Sequence, residues 1–210
     1  MTQSDKLIIG ITGNSGSGKT TVANMLAAMG GYAIDADTIA HRVMEPDQSA
    51  YKKIVAAFGP DILGCGGKID RKKLGTVVFA DEKKRTQLES IVHPLVIDEI
   101  LEEIACADSA FVVVDAVLLV ESGLHRHCDA VWLITAPEED RQMRIIARDD
   151  LSREAAKARM HNQRDTGPIA AISQTVICND GTLSALETLV SKSLDALIKS
   201  TKSSHFEVKK

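Results

Sequence analysis

The sequence predicts an α/β fold around a five-stranded parallel sheet. Three observations carry that expectation. Five short apolar runs (Leu7–Ile11, Tyr32–Asp35, Ala110–Val114, Ala130–Ile134 and Thr175–Cys178) alternate with segments of helical periodicity. The run at 110–114 is almost purely β-branched, as in a strand buried on both faces. A glycine-rich loop joins the first run to the first helical segment, which is the setting of a βα unit.

Each element has a local reason. Thr21 to Met29 is periodic and stops at Gly30 and Gly31. Thr38 to Val43 opens a helix that Pro46 interrupts. Gln48 to Phe58 is amphipathic, with Tyr51, Ile54, Val55 and Phe58 on one side, and ends at Gly59 and Pro60. Gly64 to Gly67 is a turn, and Arg71 to Phe79 a short helix. Lys83 to Val92 is helical up to His93 and Pro94. Proline suits a first helical turn, so a new helix is expected from there to about Ala107. Pro137, Glu138 and Glu139 start a helix that runs to about Asp149, and Ser152 caps another down to about Arg164. Leu183 to Lys199 is the final helix. Residues 200–210 read as a polar, frayed tail.

The glycine loop is the most informative stretch. Gly13 to Thr20 follows the pattern G-x-x-x-x-G-K-[ST]. Its glycines let the backbone curl so that successive N–H groups, with the helix N-terminus, form an anion site. Asn14, Ser15, Gly16, Ser17 and Gly18 form the cradle for a nucleotide's phosphates. Lys19 adds a mobile charge for the β- and γ-phosphates, and Thr20 a hydroxyl suited to Mg²⁺.

In a parallel α/β sheet, ligands bind beyond the C-terminal strand ends. Asp37 follows the second strand and Asp115 the third. Either Asp37 or Asp35 is placed to take a proton from an acceptor hydroxyl, with Asp35 the more natural strand-end structural residue, and for both a role as helix N-cap competes evenly. Arg141, Arg144 and Arg148 share one helix face, and Arg153, Lys157, Arg159 and Arg164 continue the positive trend. A solvated basic face competes here with the arginine lid that a phosphate-transfer enzyme closes over its nucleotide.

Composition narrows the partners. The chain has 210 residues and a net charge of −4, which argues against nucleic-acid binding. No apolar run approaches the roughly 20 residues of a membrane span. The N-terminus enters the first strand without a signal peptide, so a cytoplasmic protein is expected. Cys65, Cys106, Cys128 and Cys178 are scattered, as reduced thiols are. His125, His127 and Cys128 read as solvated surface.

With these residues in hand, the chain resembles the dephospho-coenzyme A kinases over roughly residues 7 to 199. The glycine loop looks like theirs. Ile34 to Asp37, followed by Ile39 to Arg42, looks like their most distinctive motif. Phe58 with Gly59, Ile69 to Arg71, Leu74 with Gly75, Val78 with Phe79, Leu88 to Pro94, Asp115 to Glu121, Arg144, Arg148 with Asp149, Gln163, and Val176 to Gly181 fit further blocks in order.

The resemblance implies a P-loop kinase-like three-layer fold and a single domain over 1–210. Its core would lie at about 6–35, 108–136 and 174–199, its helical substrate-binding region at about 36–107 and its lid at about 137–168. It implies transfer of the γ-phosphate of ATP to the 3′-hydroxyl of dephospho-CoA with Mg²⁺, by a monomer or small homo-oligomer. Asp37 would be the general base, and Asp35 would keep a structural role. Lys19, Arg144 and Arg148 would attend the phosphates. Arg71 and His93 would be candidate substrate contacts, His93 having an equal reading as a buried, satisfied residue. The chain departs from the family pattern at Val117, where proline is usual, at Arg141, where glutamine is common, and across Ile172 to Thr175, beside Asn179 on the adenine side. A kinase for a nucleoside or sugar shares the loop and lid. A guanine-specific switch would need an Asn-Lys-x-Asp motif, which the sequence lacks.

Overall fold

The computed structural model describes residues 6–161, 163 and 165–207, with side chains up to 201. Strands β1 (Leu7–Thr12), β2 (Tyr32–Asp35), β3 (Phe111–Asp115), β4 (Ala130–Thr135) and β5 (Thr175–Cys178) form one sheet in the order β2-β3-β1-β4-β5. β1 pairs in parallel with β3 and β4, and β4 with β5, so the α/β class and five-stranded parallel sheet are as the sequence predicts. The helices are α1 (Lys19–Ala28), α2 (Ala36–Arg42), α3 (Ser49–Phe58), α4 (Arg71–Phe79), α5 (Glu82–Cys106), α6 (Glu138–Asp149), α7 (Arg153–His161), α8 (Gly167–Ile172) and α9 (Leu183–Glu207). The chain divides into two compact units. One comprises Met1–Ala33, Asp108–Val120 and His125–Lys210, the other Ile34–Ala107 and Glu121–Leu124.

The first unit is organised by strand alternation. Ile9, Ile11, Phe111, Val113, Ala130, Trp132, Ile134 and Ile177 point to one face of the sheet, where Val22, Ala23 and Leu26 of α1 and Leu186, Val190 and Leu194 of α9 pack on them. Val112, Val114, Val131 and Leu133 on the opposite face are also buried, which is why these strands read as continuous apolar runs. Each fully buried Ile or Val contributes about 1.5–3 kcal/mol of transfer free energy. Gln174 extends the ladder one step before β5: its N–H donates to the Val131 carbonyl at 3.0 Å, and its Oε1 accepts from the Val131 N–H at 2.6 Å. None of the four cysteines forms a disulfide, and Cys128, expected from the sequence on the solvated surface, instead lies with its Sγ close above Gly10. Burial, reinforced by the charge of Asp129, pushes its thiol up to about 12.

The second unit is built around α5, against which α2, α3 and α4 pack. Val92, Val96, Ile100 and Ile104 recur every fourth residue of α5 and are buried. Aspartates cap three of these helices. Asp35 accepts from the amides of Asp37 and Thr38 (2.9 and 3.4 Å), Asp70 from Lys72 and Lys73 (2.9 and 3.2 Å), and Asp81 from Lys83 and Lys84 (2.9 and 3.3 Å). Arg42 joins α2 to α5 through Glu99 at 2.8 Å and Glu103 at 2.6 Å.

Two expectations about the helices need correction. Pro94 does not divide two helices; α5 runs unbroken through it from Glu82 to Cys106. Proline removes the rung to Ser90 and costs about 3 kcal/mol. The apolar contacts of Val92 on one side and Val96, Ile100 and Ile104 on the other outweigh that local loss. Residues 200–207 are not a frayed tail but continue α9. A further short helix, α8, opens at Gly167 with Pro168 in its first turn. Arg164 lies outside the described residues. Among the described residues, no helix is long and apolar enough to cross a membrane.

Candidate active site

The C-terminal ends of the strands in the first unit carry the glycine loop and the residues bonded to it. Past Thr12 the loop from Gly13 turns through a hydrogen bond from the Ser17 amide to the Asn14 carbonyl at 3.2 Å. Gly18 is the N-cap of α1 with φ 96°, a left-handed conformation that glycine adopts at no steric cost, and no side chain caps this helix end. A helix N-terminus presented in this way receives anions. Gly16, at φ 81°, lies directly under Arg141, since a Cβ there would stand 2.7 Å from the Arg141 carbonyl oxygen. Ser17 is fully buried, and its Oγ has no hydrogen-bond partner among the described residues.

Thr20 donates its Oγ1–H to Asp115 Oδ2 at 2.9 Å, across 95 residues of sequence. Asp115 ends β3, and its Cα partner in β1 is Ile11, just before the loop. The sequence marks Asp115 as a strand-end carboxylate but does not join it to Thr20. The register of β1 with β3 does so. A hydroxyl and a carboxylate side by side make a pair of hard oxygen ligands that fits Mg²⁺.

Asn179, just past β5, is an organising residue that the sequence leaves on the adenine side. Its Nδ2 donates to the Ser17 carbonyl at 2.9 Å, its amide to the Thr135 carbonyl at 2.8 Å, and its carbonyl accepts from Arg144 Nη2 at 3.1 Å. One buried residue thereby joins the loop through its side chain, and β4 and α6 through its backbone.

The arginines of α6 face the loop. Arg144 Nη1 donates to the Gly16 carbonyl at 3.2 Å, and its Nη2 lies 4.0 Å from Asp140. Arg148 donates to Ser15 Oγ at 3.3 Å and grips Asp149 with both Nε and Nη2 at 2.8 Å. Arg159 of α7 reaches the same carboxylate at 2.6 Å. The hydrogen bond from Arg148 holds the Asp149 carboxyl below its ordinary range, and the same bond raises Arg148. Arg141 donates Nε to the Ser15 carbonyl at 3.2 Å and Nη2 to Gln163 Oε1. Burial lowers its pKa. This basic face is therefore applied to the loop through specific bonds.

The other sequence-derived residues lie in the second unit. Asp35 is taken by the cap of α2 and also accepts from Thr38 Oγ1 at 2.7 Å. Asp37 stands exposed in the first turn of the same helix, and the bonds that cap its N-terminus are made by Asp35. Arg71, the first residue of α4, hydrogen-bonds the ring of His41, a contact that the sequence does not reveal. Both line a cleft of about 160 Å³ with Glu45 and Lys68, themselves paired at 2.7 Å. His93 is partly exposed in the middle of α5.

The comparisons with known proteins agree with this geometry. The family model for dephospho-CoA kinase matches residues 7–185. A dephospho-CoA kinase of Geobacter sulfurreducens is 43% identical over 183 residues, covering 86% of this chain and 93% of that one. One from Methylococcus capsulatus is 40% identical over 181 residues, covering 86% and 91%. Among solved structures, dephospho-CoA kinase from Campylobacter jejuni is 31% identical at a TM-score of 0.67, covering 92% and 98%. A shikimate kinase from Acinetobacter baumannii, at 17% identity and a TM-score of 0.53, shares the fold alone. A glycine loop with its Thr20–Asp115 pair, an arginine-bearing helix laid on that loop, and a match across 7–185 place the chain in the dephospho-CoA kinase family.

Proposed function

We infer that the chain transfers the γ-phosphate of ATP to the 3′-hydroxyl of dephospho-CoA, giving CoA and ADP, the last step of coenzyme A synthesis. The observation that carries this reading is the loop from Gly13 to Thr20, with Arg144 and Arg148 bonded to it and Asp115 on Thr20.

Phosphoryl transfer needs little covalent chemistry from a protein. It needs in-line placement of the acceptor and cations on the migrating charge. The backbone of Asn14 to Gly18 and the N-terminus of α1 hold the β- and γ-phosphates. Lys19 follows the charge as it moves to the bridging oxygen. Thr20 and Asp115 would hold Mg²⁺, which when bound neutralises the phosphate oxygens. Arg144 and Arg148 close over the nucleotide and keep water from the γ-phosphate. Asp37 takes the proton of the acceptor hydroxyl as the new P–O bond forms. The second unit binds dephospho-CoA, with Arg71 and His93 as contacts.

The test is ADP release with dephospho-CoA beside a panel of nucleosides and sugars. Turnover confined to dephospho-CoA is expected. Turnover of panel members without dephospho-CoA would overturn the acceptor assignment.

A further inference from the structure

The three arginines that α6 lays on the loop differ in how their charge is met. Arg148 is neutralised by a two-pronged grip on Asp149 at 2.8 Å. Arg144 has the carboxylate of Asp140 at 4.0 Å. Among the described residues, the bonded partners of Arg141 are neutral oxygens, the Ser15 carbonyl and Gln163 Oε1. Among the described residues, no carboxylate lies within 4.0 Å of its guanidinium. Yet this is the arginine that burial affects most clearly, with Glu138 as a more distant and weaker opposing charge. A partly buried cation without a counter-ion is costly unless an anion arrives.

Its position is also fixed. The Arg141 backbone packs on Gly16 so closely that a Cβ there would lie 3.0 Å from Arg141 Cα, and Nε is tied to the adjacent residue of the loop. The guanidinium is thus held beside the anion-binding turn by backbone contact and two hydrogen bonds.

We propose that Arg141 is a further nucleotide-binding residue, whose charge is met by the phosphate chain of bound ATP. The proposal rests on the kinase reading for the identity of the nucleotide, but not on the identity of the acceptor. Two neutral acceptors orient the guanidinium without cancelling its charge. When ATP binds, a phosphate oxygen supplies the missing anion, and the buried charge becomes a charge-assisted contact.

Arg141→Gln removes the charge and retains an amide donor. With dephospho-CoA absent, calorimetric Kd values for ATP and ADP should rise about 10- to 100-fold, the range expected for losing a hydrogen bond to a charged group. KM for ATP should follow, and KM for dephospho-CoA should stay within about twofold of the parent. Arg141→Lys keeps the charge and should recover much of the loss. Adenosine, which lacks phosphate, should compete equally against a fluorescent nucleotide on both proteins. ATP binding by Arg141→Gln within about twofold of the parent would overturn the proposal. An equal loss of adenosine and ATP binding would also overturn it, as the mark of a purely structural residue. If Arg141→Gln does not fold, Arg141→Met, which keeps an unbranched stem, decides: weaker ATP binding with unchanged adenosine binding supports the charge, and no loss or an equal loss for both refutes it. A parent protein that binds no ATP would sink the kinase reading itself, a result distinct from the others.

Discussion

The N-terminus of α1 and those of α2, α4 and α5 meet one requirement in opposite ways. Every α-helix begins with amides that lack an intrahelical partner. In the second unit, Asp35, Asp70 and Asp81 fold back onto them, so each end is closed by the protein's own carboxylate. At α1 the corresponding position is Gly18, which has no side chain to offer. A closed end is a matter of stability, whereas an end without a capping carboxylate is where a ligand's anion is received. α2 begins in the closed way, with Asp35 on its first amides, and the base proposed above, Asp37, stands in that same turn.

That contrast can be broken most severely at Asp37. Asp37→Asn should lower kcat by roughly 10²–10⁴-fold, the contribution of a positioned general base, with ADP affinity and thermal unfolding unchanged. Near-parental turnover would remove the base from Asp37. Gly18→Asp would convert the α1 end to the capped type. A side chain at φ 96°, with its Cβ 2.3 Å from Asn179 Nδ2 and a carboxylate facing phosphate, should cost several kcal/mol and abolish measurable ATP binding in calorimetry.

Smaller effects sharpen the same distinction. Asn179→Ala leaves the Ser17 carbonyl without its donor and should destabilise the protein by about 1–3 kcal/mol in urea titration, with weaker ATP binding as well. Asp81→Ala removes only a cap. It should cost about 0.5–2 kcal/mol of stability and leave both KM values unchanged. The smallest effect concerns pH. The folded state depresses the Asp149 carboxyl, so its pairing with Arg148 and Arg159 contributes above the ordinary value of 3.8 and is lost as pH falls through the lower folded value. The difference in melting temperature between the parent and Asp149→Asn should therefore be present at neutral pH and vanish in strong acid.

What was legible in the sequence was what is local. The loop from Gly13 to Thr20, the five strands and α4 are each written in a few adjacent residues, and the structure has them where the sequence places them. Pairings across long separations were not legible. Thr20 meets Asp115 because β1 and β3 are in register, and Arg71 meets His41 because the intervening chain turns back. Asn179 lies past a short strand among unremarkable turn residues, and its role depends on α6 arriving beside it. The misreading at Pro94 has the same origin, since a local rule was overruled by packing at Val92, Val96, Ile100 and Ile104. α8 escaped notice because six residues are too few to show a helical period.

The missing rung at Pro94 has a mechanical consequence. A helix of 25 residues otherwise transmits bending along its whole length, but it yields first where an axial bond is absent. In α5 that place is fixed between Ser90 and Pro94, just before the buried contacts at Val96, Ile100 and Ile104. One pyrrolidine ring thus fixes the point at which α5 is softest along its own axis.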